Sequence, residues 1–218
     1  MCDMTFYTYT MTHDTGFAPA VSNGLLSLAC CKTRLRHAIA RAFLNGEREI
    51  LLLGLCGKQL AKKHGLQKYY PVYIAKVSDV VKCQDYHQLP LYADRPDRQY
   101  RYENGQWLPE STNPHKENAD LMRRDLFYNG NKENYVLLCD KYVYFGRNQA
   151  TTLPPCFKAV QDQREKASRA SGKVRLNETE MQELSAFFDA HCSGSLQSNE
   201  NCTIEDYFLV GKGKCGCK

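Results

Sequence analysis

The sequence predicts an α+β fold, a mixed and largely antiparallel sheet with flanking helices. Three observations lead there. Segments such as "TFYTYTMT" (5–12) alternate large and small side chains with the period of a strand. "LLSLACCKTRLRHAIARAFLNG" instead places Leu35, Ile39 and Phe43 at helical spacing before an Asn45-Gly46 stop, so residues 31–44 read as an amphipathic helix. The elements then follow the order β-loop-α-β-β-α-loop-β-β-α, without the regular βαβ alternation of a parallel sheet.

The elements follow in chain order. The strand at 5–12 leads into the loop "THDTGFAP", rich in turn formers. After the helix, "REILLLGLC" reads as a buried strand closed by Gly57-Lys58. "YYPVYIAKVSDVV" (69–81) reads as one longer strand, with Pro71 at its start or on an edge. "CQDYHQL" suits a short helix, and 90–118 is a polar, Pro-rich, aromatic-studded irregular segment. "ENYVLLCDKYVYFGRNQ" resembles two strands around an Asp140-Lys141 turn. Near the end, Asn177 and Glu180 form a capping-box pattern ahead of the stripe Met181, Leu184, Phe188. We expect a domain over 1–160 and a helical, Cys-rich extension over 161–218 packed on it.

Composition narrows the function classes. The chain has 218 residues, enough for a substantial core, and is 43% hydrophobic and 24% charged. Its longest apolar run, "ILLLGLC", is strand-sized, and the N-terminus lacks a secretory signal pattern. A cytoplasmic protein with no membrane partner is expected. Eleven scattered cysteines, an odd count, suit thiols in a reducing compartment. Residues 31–68 hold nine Lys/Arg against two carboxylates. That imbalance fits a phosphate-bearing partner or a solvated helix face equally well.

No Walker A, G-x-G-x-x-G, H-E-x-x-H or zinc-deaminase pattern is present, and no cofactor is expected. Cys192, Cys202, Cys215 and Cys217 cluster late, but C-x-C departs from zinc-knuckle spacing, so no metal site is expected. "CCKTRLR" puts Lys32 and Arg36 on one helix face where a polar loop enters the helix, a plausible anion cradle. Lys58 follows a glycine at a strand end, and Cys31 sits near a helix start, where thiolates are favoured. Asp14 and Asp140 could act as an acid–base pair with His13 assisting, or each could be a turn residue.

Five stretches taken in order, "HDTGFAP", "LACCKTRLRHAI", "LLGLCGK", "PVYIAKVSDVVKCQDY" and "NYVLLCDKYVYFGRNQATTLPPCF", resemble the nucleotide modification associated domains of the second class. The resemblance spans about residues 4 to 160. Such domains occur in phages and bacteria beside systems that make hypermodified DNA bases. The resemblance implies a PUA-like pseudo-barrel, similar to EVE and ASCH domains, that seats a modified base. It carries over to Asp14, Gly16, Pro19, Cys31, Lys32, Arg36, Gly54, Lys58, Asp140 and Gly146. The implied function is binding of a modified nucleobase or nucleotide, free or in DNA, with Lys32, Arg36, Lys58, Gly16, Cys31 and Tyr144 as ligand contacts. One alternative is an enzyme acting at a glycosidic bond through Asp14, Asp140 and His13. Another is a phage protein that sequesters a signalling nucleotide or blocks a host defence factor. A homodimer is compatible with each.

Overall fold

The computed structural model describes residues 4–130, 132–149, 151–167, 171–192 and 203–205. Thirteen strands and six helices occur among them. The first half contains β1 (Thr5–Met11), β2 (Ala20–Ser22), β3 (Leu25–Leu28), α1 (Thr33–Leu44), β4 (Ile50–Cys56), α2 (Lys58–His64), β5 (Pro71–Lys76), β6 (Asp79–Lys82) and α3 (Cys83–Gln88). The second half adds β7 (Tyr100–Glu103), β8 (Gln106–Pro109), α4 (Ala119–Leu126), β9 (Phe127–Tyr128), β10 (Lys132–Glu133), β11 (Tyr135–Cys139), β12 (Lys141–Tyr144), α5 (Cys156–Lys166), β13 (Ser171–Val174) and α6 (Glu178–Cys192).

The main sheet has the order β12-β5-β4-β1-β13. Only β1 and β4 run parallel; every other neighbouring pair is antiparallel. Period-2 alternation divides its side chains between two cores. On one face Tyr7, Tyr9, Met11, Leu52 and Cys56 pack with Leu35, Ile39 and Phe43 of α1. On the other, Phe6, Leu51, Leu53 and Leu55 meet Phe157 and Val160 of α5 and Leu184 and Phe188 of α6. Both faces are covered, which is why "ILLLGLC" is apolar without a break. Gly54 is required inside it, since a Cβ there would lie 2.2 Å from the Tyr73 ring.

A second sheet, β2-β3-β11-β6, shares no strand with the first. The expected single strand over 69–81 is therefore two strands: β5 stays in the main sheet, and the chain crosses at Val77-Ser78 into β6. The expected hairpin at Asp140 is corrected in the same way. β11 pairs with β3 and β6 while β12 pairs with β5, so Asp140 is another crossing point between sheets. The two crossings are tied together, with the Asp140 amide donating to Ser78 Oγ at 3.1 Å. Among the described residues the sheets do not close into the barrel that the resemblance implied.

The irregular segment 90–118 contains order that propensity alone did not suggest. Asn104 and Gly105, both at positive φ, turn β7 into β8. The capping box is present, with the Glu180 carboxylate accepting from the Asn177 amide and Asn177 Oδ1 from the Glu180 amide, both at 2.9 Å. The expected boundary at 160 falls inside α5, and β13 beyond it forms an edge of the main sheet.

Candidate functional site

Because β1 and β4 are parallel and β12 runs in their direction, three strands end at one edge of the main sheet. The loop 12–19 leaves β1 there, Gly57-Lys58 follows β4, and Tyr144 closes β12. The Gly57 amide donates to Met11 O at 2.9 Å, holding the first two together.

A cavity of about 60 Å³ opens at this edge. Its walls include Tyr9, His13, Phe17, Cys31, Lys32 and Pro114. Lys32 Nζ donates to Thr10 O at 3.1 Å and lies 5.3 Å from the centre of the Tyr9 ring. A larger groove of about 480 Å³ lies along β13 and the start of β1, lined by Met4, Glu47 and Met181 among others. It contains no thiol or imidazole, so the smaller cavity is the chemically equipped one.

Cys31 and Lys32 precede α1 with φ of 59° and 43°, the left-handed region that non-glycine residues rarely enter. Their conformation is held from several sides. The Cys31 amide donates to Asp125 Oδ1 at 2.7 Å, and Cys31 O accepts from Arg36 Nε at 2.7 Å. Asp125 Oδ2 accepts from His115 Nδ1 at 2.6 Å and from the Tyr100 hydroxyl at 2.7 Å. His115 Nε2 then lies 3.8 Å from Cys31 Sγ. Phe17 packs edge-on against the His115 ring, with centroids 5.5 Å apart.

The donor atoms of Cys31, His115 and Asp125 all lie within 4.8 Å of one another, the compactness of a metal cluster. Their connectivity is different. Asp125 meets Nδ1 of the imidazole and Cys31 faces Nε2, so the three side chains are joined in series by hydrogen bonds. The arrangement is a carboxylate–imidazole–thiol relay.

Asp14 is also buried at this edge. Its carboxylate accepts from the Tyr144 hydroxyl, and from the Ile204 amide at 2.8 Å. Burial pushes Asp14 up to about 6; the bonds from Tyr144 and Ile204 oppose the rise, the charge of Glu205 adds to it and Arg147 opposes it. Glu205 accepts from Lys63, from His13 Nδ1 at 3.0 Å and from His64 Nε2 at 3.3 Å. Burial alone would raise the Glu205 carboxyl, but bonds from Lys63, His64, His13 and the Asp14 amide outweigh it and hold it at about 2. Residues 203–205 thus form a clasp over the loop, and Arg147 grips Ile204 O. Gly16, at φ 79°, passes beneath Thr203, whose Cγ2 would be 3.5 Å from an added Cβ.

The two carboxyls give the clasp a pH optimum. Glu205, depressed from 4.5, stabilises the folded clasp above that pH and loses this as pH falls through about 2. Asp14, raised from 3.8, acts with the opposite sign: its cost to the clasp grows as pH rises from 3.8 to about 6. Protection of the Ile204 and Glu205 amides, corrected for intrinsic exchange, should therefore peak near pH 4 and decline toward neutrality. Hydrogen exchange read by mass spectrometry tests this, and protection rising steadily from pH 4 to neutral would contradict it.

The structure brings Asp14, His13, Gly16, Cys31, Lys32 and Tyr144 to one edge, with exposed Lys58 at the start of the adjoining helix. It does not bring Asp140 there. That residue stands exposed at the start of β12, while Tyr144 ends the strand at the site. Arg36 is fully buried, donating to Cys31 O, Tyr135 O and Asp125 O, so it supports the site from beneath and is not placed to meet a ligand. Of the late cysteines, Cys202, Cys215 and Cys217 lie outside the described residues.

A family model for nucleotide modification associated domain 2 matches residues 3–202, most of the chain. The chain belongs to this family. The match continues past residue 160, through α5, β13 and α6, beyond the span of the sequence resemblance. No curated protein and no solved structure matches the chain. The nucleotide modification associated domain 2 family fits a DNA-modification context. No helix among the described residues is long and apolar enough to cross a membrane.

His115, Asp125 and Tyr100 are the site residues that sequence reasoning missed. His115 closes "STNPH" in the irregular segment, and Asp125 lies in the last turn of the helix "ADLMRRDL". The one available signal was a cysteine at a helix start with His and Asp elsewhere in the chain. With eleven cysteines and six histidines, that signal selects no pair.

Proposed function

We propose that the cavity between the loop 12–19 and the start of α1 binds a modified nucleobase or nucleotide, free or within DNA. The observation that carries this reading is the combination of a cation, Lys32, with the aromatic walls Tyr9 and Phe17 at the carboxyl ends of the parallel strands. An ammonium has three donors and Lys32 commits one to Thr10 O, leaving capacity for a phosphate oxygen. The volume of about 60 Å³ suits a substituent of a base, with sugar and phosphate remaining at the mouth. Family membership supports the ligand class.

The test is titration of the full chain with deoxynucleoside monophosphates bearing 5- or N-substituted pyrimidines, and with short DNA containing them. Lys32→Ala is expected to weaken binding about tenfold, the loss of one charge-assisted contact. With DNA, it should also reduce the salt slope by about one. Affinity indifferent to Lys32→Ala, or no saturable binding by any of these probes, sinks the reading.

A further inference from the structure

The thiol at the floor of this cavity differs from the other described thiols. Cys30, Cys56, Cys83, Cys139 and Cys156 are buried in the cores, and burial pushes Cys56, Cys156 and Cys192 up to about 11. Cys31 instead lines the cavity, 3.8 Å from an imidazole nitrogen. It also immediately precedes Lys32, the N-cap of α1, a twelve-residue helix whose start has no side-chain cap. Uncapped N–H groups at a helix start favour negative charge, and a thiolate beside them is stabilised.

The rest of the relay meets the requirements of nucleophilic catalysis. Asp125 fixes the His115 tautomer by accepting at Nδ1, which turns Nε2 toward the sulfur as a proton acceptor. Tyr100 and the Cys31 amide occupy the remaining positions on the Asp125 carboxylate, which holds it in place. Phe17 and Pro114, which line the cavity beside the relay, limit how far the ring can turn. The left-handed backbone at Cys31 is the kind of constrained turn that presents a nucleophile at the entry to a helix.

We infer that Cys31 is the nucleophile of an acyl hydrolase, with His115 as general base and acid and Asp125 as positioning residue. Its substrate class is a nucleotide whose base carries an acyl group through an amide or ester bond. The substrate rests on the nucleotide reading above; the nucleophile does not. The Cys31 proton passes to His115 Nε2 as sulfur bonds to the acyl carbon. The bond from that carbon to the amine or alcohol breaks, and the leaving group takes the proton from His115. Water then attacks the thioester, giving its proton to His115. The C–S bond breaks, the carboxylic acid departs and the Cys31 thiol is restored.

Two nucleotide-free measurements on the full chain test the nucleophile. The first is alkylation by iodoacetamide, mapped by peptide mass spectrometry. Cys31 should react at least about tenfold faster than Cys192, and His115→Gln should abolish the advantage. In Asp125→Asn the rise of Cys31 alkylation with pH should move to higher pH, a shift that a purely structural role would not produce. The second is acetylation by p-nitrophenyl acetate, which should place an acetyl thioester on Cys31 that then decays. His115→Gln should slow its formation by roughly 10²-fold or more. Correctly folded wild-type protein in which Cys31 reacts no faster than Cys192 overturns the proposal without any variant. So does acetylation that spares Cys31. A third assay follows release of acetate from N4-acetyl-deoxycytidine monophosphate. Acylation of Cys31 with no nucleotide binding defeats the nucleotide reading alone, whereas nucleotide binding with an inert Cys31 defeats the nucleophile alone.

Discussion

Arg36→Ala lowers the unfolding free energy by about 3–5 kcal/mol, the largest loss expected from any single truncation near the site. The guanidinium is fully buried and donates to Cys31 O, Tyr135 O and Asp125 O at 2.7, 2.6 and 2.8 Å, and to Cys83 Sγ at 3.2 Å. The three carbonyls belong to the turn before α1, to β11 and to the end of α4, so one side chain ties three elements together. Truncation leaves three carbonyls without these donors and opens a cavity the size of the side chain. Arg36→Lys keeps the charge but cannot reproduce a planar fork, so it recovers a fraction of the loss. Arg34→Ala, on an exposed position of the same helix, should change stability by under about 0.5 kcal/mol. Urea unfolding of the three variants checks the order, and an Arg36→Ala loss no larger than that of Arg34→Ala would contradict it.

Asp97→Ala is expected to cost a similar amount, about 3–5 kcal/mol, for a different reason. Asp97 is fully buried, accepts from the Tyr86 hydroxyl at 2.6 Å and from Ser27 Oγ, and faces Arg95 Nε at 3.8 Å. Arg95 is itself buried and donates to Ser22 O, Leu25 O and Ala20 O along β2 and β3. Removing the carboxylate strands a cation in the interior. Asp97→Asn also removes the counter-charge of Arg95 but leaves no cavity, so its loss should be smaller than that of Asp97→Ala. Burial pushes the Asp97 carboxyl up, against the opposing pull of Arg95, Ser27 and Tyr86, and a neutral amide keeps the shape and an acceptor. This network fastens the start of the segment that goes on to carry His115. Asp97→Ala should therefore also slow Cys31 alkylation under conditions where the protein remains folded. Equal melting temperatures for Asp97→Ala and the wild type would refute the prediction.

The legible parts of the fold were those governed by local rules. Helix α1, the capping box of α6 and the unbroken apolar run of β4 follow from spacing, caps and two-sided burial. What could not be read was which strand pairs with which. "YVLLCDKYVY" has the alternation of a hairpin, yet its halves enter different sheets because Ser78 and Asp140 form a corner that no local pattern encodes. The same division holds in the site. Asp14, Cys31 and Lys32 could be singled out because they stand at a strand end and a helix start. Arg36 shares a helix face with Lys32 in sequence, but that face turns inward where α4 and β11 close over it. His115 and Asp125 acquire meaning only from contacts that tertiary structure creates.

The relay has a consequence for how the molecule reaches its native state. Cys31 meets His115 and Asp125 across 84 and 94 residues of chain, and Asp14 meets Ile204 across 190. Contacts this distant in sequence close late, after loop entropy has been offset by nearer pairings. Selective reactivity at Cys31 would therefore serve as a clock for maturation, since a chain with all its helices and hairpins formed still lacks it until residues 31, 115 and 125 have come together.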